Sequence, residues 1–198
     1  KKAESPYGNT KQIGEEIIKD LVNSSSNFNA ISLRYFNPIG AHPSVLIGEL
    51  PIGIPQNLVP YITQTAIGKR NELTVFGDNY LTRDGSCIRD YIHVVDLAKA
   101  HIKSLEKLIK ESSKNYYDAF NIGTGKGTSV LELISCFESV SGKKLNFRIG
   151  ERRKGDIAKC FADVSKANEL LNWKSKHSIE DALLSSWNWE KHIKNEKL

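Results

Sequence analysis

Ala119-Phe120-Asn121-Ile122-Gly123-Thr124-Gly125-Lys126-Gly127-Thr128-Ser129-Val130 is the stretch that decides the fold class. A short apolar run, then a turn of alternating glycines, then a Thr or Ser able to cap a helix, reads as a strand handing over to a helix that spans residues 130–140. The alternation continues on both sides. Upstream lie a helix over 58–67, strands over 73–76 and 88–93 flanking a turn-rich stretch, and an amphipathic helix over 96–109. Downstream come a strand over 145–149, a basic turn, a strand over 161–164 and helices over 165–171 and 179–192. Alternating strands and helices predict an α/β architecture.

The first third has a different texture, because all six prolines fall between Pro6 and Pro60. Ile13, Ile17, Ile18 and Leu21 recur at helical spacing over 7–23, and Ser5-Pro6 supplies a helix start. Residues 29–35 read as a short buried strand. The glycines and prolines of 37–55 then predict a long irregular loop, a kind of segment that often carries function.

At 198 residues the chain is long enough to bury a real core, and 39% hydrophobic with 26% charged residues excludes a disordered or fibrous protein. The net charge of +5 comes from basic residues scattered among acidic ones, which argues against a nucleic-acid partner. No apolar run approaches the ~20 residues of a membrane helix. Cys87, Cys136 and Cys160 are odd in number, far apart and outside any CxxC pair, so reduced thiols in the cytoplasm are expected, with no zinc site. With no methionine and an opening of Lys1-Lys2-Ala3-Glu4, the chain reads as a possible C-terminal fragment, or else a natural truncation.

Tyr7 and Lys11 stand four apart on the first helix, which brings ammonium and phenol to one face. A phenol ordinarily titrates near pH ~10, and a neighbouring cation favours the phenolate, the direction a general base requires. Taken alone, the pair is a weak signal, because a Tyr and a Lys at this spacing occur by chance on many helices and mostly pack on the surface. The Gly123–Gly127 turn imitates a dinucleotide fingerprint but is spaced GxGxG rather than GxGxxG. His42, His93 and His101 are not spaced as metal ligands, and Trp173, Trp187 and Trp189 read as packing residues.

Ser5-Pro6-Tyr7-Gly8-Asn9-Thr10-Lys11 and Arg34-Tyr35-Phe36-Asn37-Pro38-Ile39-Gly40-Ala41-His42 together resemble the extended short-chain dehydrogenase/reductase family, and within it the branch that inverts C4 of UDP-hexoses. The resemblance continues through Gly53–Leu58, Asp84–Val94, Phe120–Gly125 and Arg152–Asp156, so it spans most of the chain. It implies the last part of a Rossmann-type NAD-binding domain over 1–40. A smaller α/β substrate domain would take up most of 41–198, with segments around 74–100 returning to the first domain.

By that resemblance Tyr7 takes the proton of the sugar 4-hydroxyl while NAD acts as oxidant, giving a 4-keto sugar that turns over and is reduced on its other face. Lys11 would hold the nicotinamide ribose and tune Tyr7, while Tyr35, Asn37 and Pro38 would lie near the nicotinamide. Asn37 also matches a substrate contact. Arg89 and Arg153 would grip the diphosphate, Asp156 the ribose hydroxyls, Asn57 and Leu58 a helix start over the diphosphate, and Phe76 the uracil. Cys160 falls where the family borders the sugar 2-substituent. Its small size implies room for N-acetylated sugars, with an inert buried thiol as the alternative. A homodimer is also implied.

The family's glycine-rich phosphate loop, its adenosine-reading acid and its catalytic Ser or Thr have no match in this sequence. The chain alone is therefore expected to bind NAD poorly, not to turn over, and to expose the apolar face of its first helix. Two other readings stay open: another nucleotide-sugar enzyme of the family, a 4,6-dehydratase or decarboxylase, and a UDP-sugar-binding module without catalysis.

Overall fold

Ser5 Oγ accepts a hydrogen bond from the Gly8 amide at 3.0 Å and Pro6 takes the first helical position, so α1 (Pro6–Ser24) starts where the Ser-Pro pair predicts. The computed structural model describes residues 5–25 and 27–196; the opening Lys1-Lys2-Ala3-Glu4 lies outside the described residues. In chain order there follow β1 (Ala30–Tyr35), β2 (Asn37–Ile39), α2 (Leu58–Ala66), β3 (Leu73–Phe76), β4 (Ile88–Arg89), β5 (Tyr91–His93) and α3 (Val94–Lys110). Next come β6 (Tyr117–Ile122), β7 (Thr128–Ser129), α4 (Val130–Ser141), β8 (Phe147–Gly150), β9 (Lys159–Cys160), α5 (Ser165–Leu170) and α6 (Ile179–Asn195).

The pairings are those of an α/β fold. β1 runs parallel to β6 from Ala30 opposite Tyr117 to Tyr35 opposite Ile122. β2 is parallel to β5 and β3 to β8. β4 lies between antiparallel β7 and parallel β9. The cap of α4 falls on Ser129 rather than Thr128, in a reciprocal arrangement with Glu132. Gly142, at φ +66°, closes that helix in the left-handed conformation that glycine adopts without strain.

Three elements depart from their sequence expectation. The strand expected over 88–93 breaks at Asp90, and its halves join different sheets. The loop expected over 37–55 opens with a strand: the Asn37 amide donates to the Asp90 carbonyl at 2.9 Å. Pro38 falls at the next position, where its missing N–H faces the unpaired side of β2. No strand forms over 161–164; the strand lies upstream at Lys159–Cys160, because the Ala162 amide turns away to the Asp90 carboxylate at 3.1 Å.

Two apolar clusters hold these pieces together. Ile62, Val75, Leu133, Phe137, Leu183 and Trp187 join α2, α4 and α6 over β3. Ile92, Leu97, Phe120, Ile122 and Trp173 join α3 to the strands beside it. All three tryptophans are buried, as packing residues should be. α1 differs: Arg34 reaches from β1 to Glu15 (Nε–Oε1 2.7 Å) and holds the helix, yet Ile13, Ile17 and Leu21 remain exposed.

Candidate functional site

The turn before α2, the faces of β3 and β4, Tyr91 and the 153–156 turn enclose a cleft of about 420 Å³. That is within the range of small-molecule sites. Asn37, Asn57, Leu58, Phe76, Arg89, Arg153 and Asp156, seven of the residues singled out in the sequence, all line it. Gln56, Tyr61, Thr74, Cys87, Tyr91 and Val130 line it too and were missed. A signal existed for Tyr91 and Cys87, each two positions from Arg89, for Thr74, two from Phe76, and for Gln56, next to Asn57; Tyr61 and Val130 reach the cleft only through tertiary packing.

The polar groups are arranged for an anionic ligand. Arg89 is fixed by its own surroundings: Nη1 donates to the carbonyls of Ile157 (2.6 Å) and Ile88 (2.9 Å), and Nη2 lies 3.4 Å from Asp156 Oδ1. The Arg153 guanidinium rests on the Phe76 ring, 3.9 Å from its centroid. α2 begins at Asn57, whose side-chain oxygen caps no amide while its amide group donates to Glu49 Oε1 at 2.8 Å. Its first amides are left to whatever occupies the cleft. Burial holds the Tyr91 phenol far above its ordinary range, so it stays a neutral hydrogen-bonding group.

Asp90 explains how the cleft is built. Its carboxylate is fully buried and accepts from four donors: the Thr124 amide (2.8 Å) and hydroxyl (2.6 Å), the Gly125 amide (2.9 Å) and the Ala162 amide (3.1 Å). The glycine turn that imitates a phosphate loop therefore has its amides taken by an internal carboxylate. A methyl group on Gly123 would meet Asp90 Oδ2 at 2.5 Å, so the close approach requires glycine there. Through Ala162 the same carboxylate fixes the chain just past Cys160, which lies opposite Arg89 in register.

The remaining residues lie elsewhere. Lys11 Nζ is 5.3 Å from the centre of the Tyr7 ring, so the two do share a face of α1, and Tyr7 is 73% exposed. Neither lines the cleft. Tyr35, at the end of β1, bonds through its hydroxyl to His101 Nε2 at 3.0 Å, and Pro38 sits within β2. Cys160 is exposed, which removes the buried-thiol alternative, and it too lies outside the lining of the cleft. Among the described residues no group of three or more His, Cys, Asp and Glu could hold a metal.

A second polar cluster is structural. His93 Nδ1 accepts from the Val95 amide at 3.1 Å and caps α3, while Nε2 lies 3.2 Å from Ser185 Oγ. The Ser185 hydroxyl donates to the Ala182 carbonyl, so it accepts from His93, and the imidazole is the neutral tautomer with its proton on Nε2. Burial first, and the stacked His177 second, lower the His93 pKa to about 4. Burial pushes the Asp96 carboxyl up, but the amides of His177 and Lys176 outweigh it and hold it below the usual carboxylate range.

An α/β chain with a helix-borne Tyr and Lys and an arginine-lined cleft has the build of an extended short-chain dehydrogenase/reductase. The chain belongs to the family described as GDP-mannose 4,6 dehydratase, which matches residues 1–185. Within that family it is homologous to UDP-glucose 4-epimerases. It is 51% identical to the enzyme of Bacillus subtilis (strain 168) over 95% of this chain and 55% of the relative. It is 48% identical to that of Drosophila melanogaster over 96% of this chain and 54% of the relative.

Among solved structures, the UDP-glucose 4-epimerase of Stenotrophomonas maltophila, with bound NAD and formylated UDP-arabinopyranose, superposes with a TM-score of 0.92 and 47% identity, over 97% of this chain and 56% of that one. The Bifidobacterium longum enzyme, in complex with NAD+ and UDP, gives 0.89 and 46%, over 96% of this chain and 56% of that one. These neighbours make the fold part of a Rossmann-type NAD-binding architecture. The chain spans about half the length of the curated relatives it matches.

No helix among the described residues is long and apolar enough to cross a membrane.

Proposed function

We propose that this chain forms the nucleotide-sugar-binding part, and the Tyr–Lys part of the catalytic centre, of a UDP-glucose 4-epimerase that interconverts UDP-glucose and UDP-galactose. The observation that carries the reading is the convergence of Arg89, Arg153, Asp156, Phe76 and the start of α2 on one cleft. Two guanidinium groups suit a diphosphate, the carboxylate suits ribose hydroxyls, and the aromatic ring suits a base. Asn37 places an amide at the end of the cleft that continues from β1. In this assignment the first 40 residues complete a dinucleotide-binding domain, joined by the expected segment around 74–100 through β5 and also by β6, which lies beyond that segment and pairs with β1, and most of the remainder holds the substrate.

Tyr7 takes the proton from the sugar 4-hydroxyl and returns it to the same oxygen after the sugar has turned. Lys11 stands over the same ring, 5.3 Å from its centre, where it can hold the nicotinamide ribose. NAD, when bound, supplies the two-electron oxidation and re-reduction at C4. The residues present fit its nicotinamide end: Lys11 has no ion-pair partner among the described residues, and the Tyr7 face is open. They do not fit its pyrophosphate, since the amides of the glycine turn already serve Asp90.

In the intact protein Tyr7→Phe is expected to lower UDP-galactose turnover by orders of magnitude and to leave UDP affinity unchanged; near-normal turnover would remove Tyr7 from the mechanism. Cys160 leaves room for a 2-acetamido group, so UDP-N-acetylglucosamine and UDP-N-acetylgalactosamine are proposed as additional substrates. Cys160→Tyr should remove that activity and spare the hexoses.

The dehydratase or decarboxylase alternative needs further acid and base groups. Among the described residues Asp156 is the one carboxylate lining the cleft, and it is assigned to the ribose hydroxyls. The binding-module reading is favoured by the occupied glycine turn, and UDP binding without NAD binding would select it. A homodimer is proposed from the apolar stripe that α1 leaves exposed, and a cytoplasmic location from the three unpaired cysteines.

A further inference from the structure

Arg152 and Arg153 are neighbours in sequence and are held in different ways. Arg152 stacks on Tyr80 at 4.1 Å and also donates from Nε to Asn79 Oδ1 at 2.6 Å, and from Nη2 to the Asn79 carbonyl. Directional bonds anchor it. The Arg153 guanidinium lies 3.9 Å from the centre of the Phe76 ring and, among the described residues, makes no hydrogen bond or ion pair. One weak contact keeps it in place, on a turn that Gly155 closes at φ +85°.

At 3.9 Å there is no space for a planar base between guanidinium and ring. The face of Phe76 that a base would use is therefore also the seat of Arg153. We propose that Arg153 and a nucleobase exchange on Phe76, so that the cleft selects for ligands carrying both a base and a diphosphate. This rests on the reading of the cleft as a UDP-sugar site. A base without phosphates has to displace the guanidinium and gives it nothing in return. A base followed by a diphosphate displaces it and offers phosphate oxygens, to which a guanidinium binds with two parallel charge-assisted hydrogen bonds. Arg153 thus acts on specificity twice, against nucleosides and in favour of nucleoside diphosphates.

The test is a calorimetric titration of uridine and of UDP into the intact protein and its Arg153→Ala and Arg153→Gln variants. Both variants change an exposed turn residue, and their unfolding midpoints serve as the folding control. The expected result is a change of opposite sign for the two ligands. Uridine should bind about threefold tighter, by the usual strength of a cation–π contact. UDP should bind about tenfold weaker or worse, for loss of charged hydrogen bonds. Weaker UDP binding with unchanged or weaker uridine binding would make Arg153 a phosphate ligand alone and overturn the exchange. Failure of the unmodified protein to bind UDP would instead overturn the reading of the cleft.

Discussion

The cleft and the α1 face are opposite solutions to the same need for order. Around the cleft, buried polar groups are satisfied internally: Asp90 gathers four donors, Arg89 is held by two carbonyls and Asp156, and the α4 cap closes on itself. On the α1 side the Arg34–Glu15 ion pair and buried Val22 hold a helix whose Ile13, Ile17 and Leu21 face outward, and the Tyr7–Lys11 pair stands in the open. A preorganised anion site and an unfinished surface thus sit in one chain.

The comparison is broken most forcefully at Asp90. Asp90→Ala strands four donors, one buried and three half-buried, and should cost about 3–5 kcal/mol in chemical denaturation, with UDP affinity lost as well. A cost under about 1 kcal/mol would show that the turn does not depend on the carboxylate.

Acid should act next, through His93. Its folded-state pKa of about 4 lies below the ordinary value of 6.5, so the unfolded chain takes up a proton first. His93 therefore contributes fully above pH about 6.5, and its contribution is lost as pH falls toward 4. The loss is on the order of 2 kcal/mol. The charges that face it, His177, Asp96, Asp181 and Lys99, shift the window without changing its sign. Denaturation midpoints that stay flat from pH 7 to 4.5 would contradict this.

A smaller effect is expected at Gly48. An added methyl group would meet the Trp189 ring at 2.4 Å, so Gly48→Ala should destabilise by about 1–2 kcal/mol through overpacking. Smallest of all, Ile17→Lys on the open side should change stability by less than about 0.5 kcal/mol. Its effect should show instead as reduced self-association in sedimentation; a large loss of stability would mean that the α1 stripe is packed after all.

The sequence made the local elements legible where a single residue decides them. Ser5-Pro6 marked α1, and the glycine turn with Ser129 marked the passage from β6 to α4. It failed where the deciding partner is far along the chain. Nothing around Asp90 reveals that Thr124, Gly125 and Ala162 will claim its carboxylate, so the break between β4 and β5 and the end of β9 were missed. The cleft was legible through motifs, because Arg89, Arg153, Asp156 and Phe76 carry distinctive chemistry. Val130 and Tyr61 do not, and only packing brings them to it. The open face of α1 was legible from Ile13, Ile17 and Leu21, because the strands on which the family packs this helix have no match in the sequence.

The most direct test of the contrast is to titrate UDP and NAD separately into the 198-residue chain by calorimetry. The account predicts that UDP binds, that Arg89→Ala abolishes it, and that NAD binds at least a hundredfold more weakly, if at all, because Asp90 already takes the Thr124 and Gly125 amides of the glycine turn. NAD binding as tight as UDP binding, or UDP binding indifferent to Arg89, would contradict it.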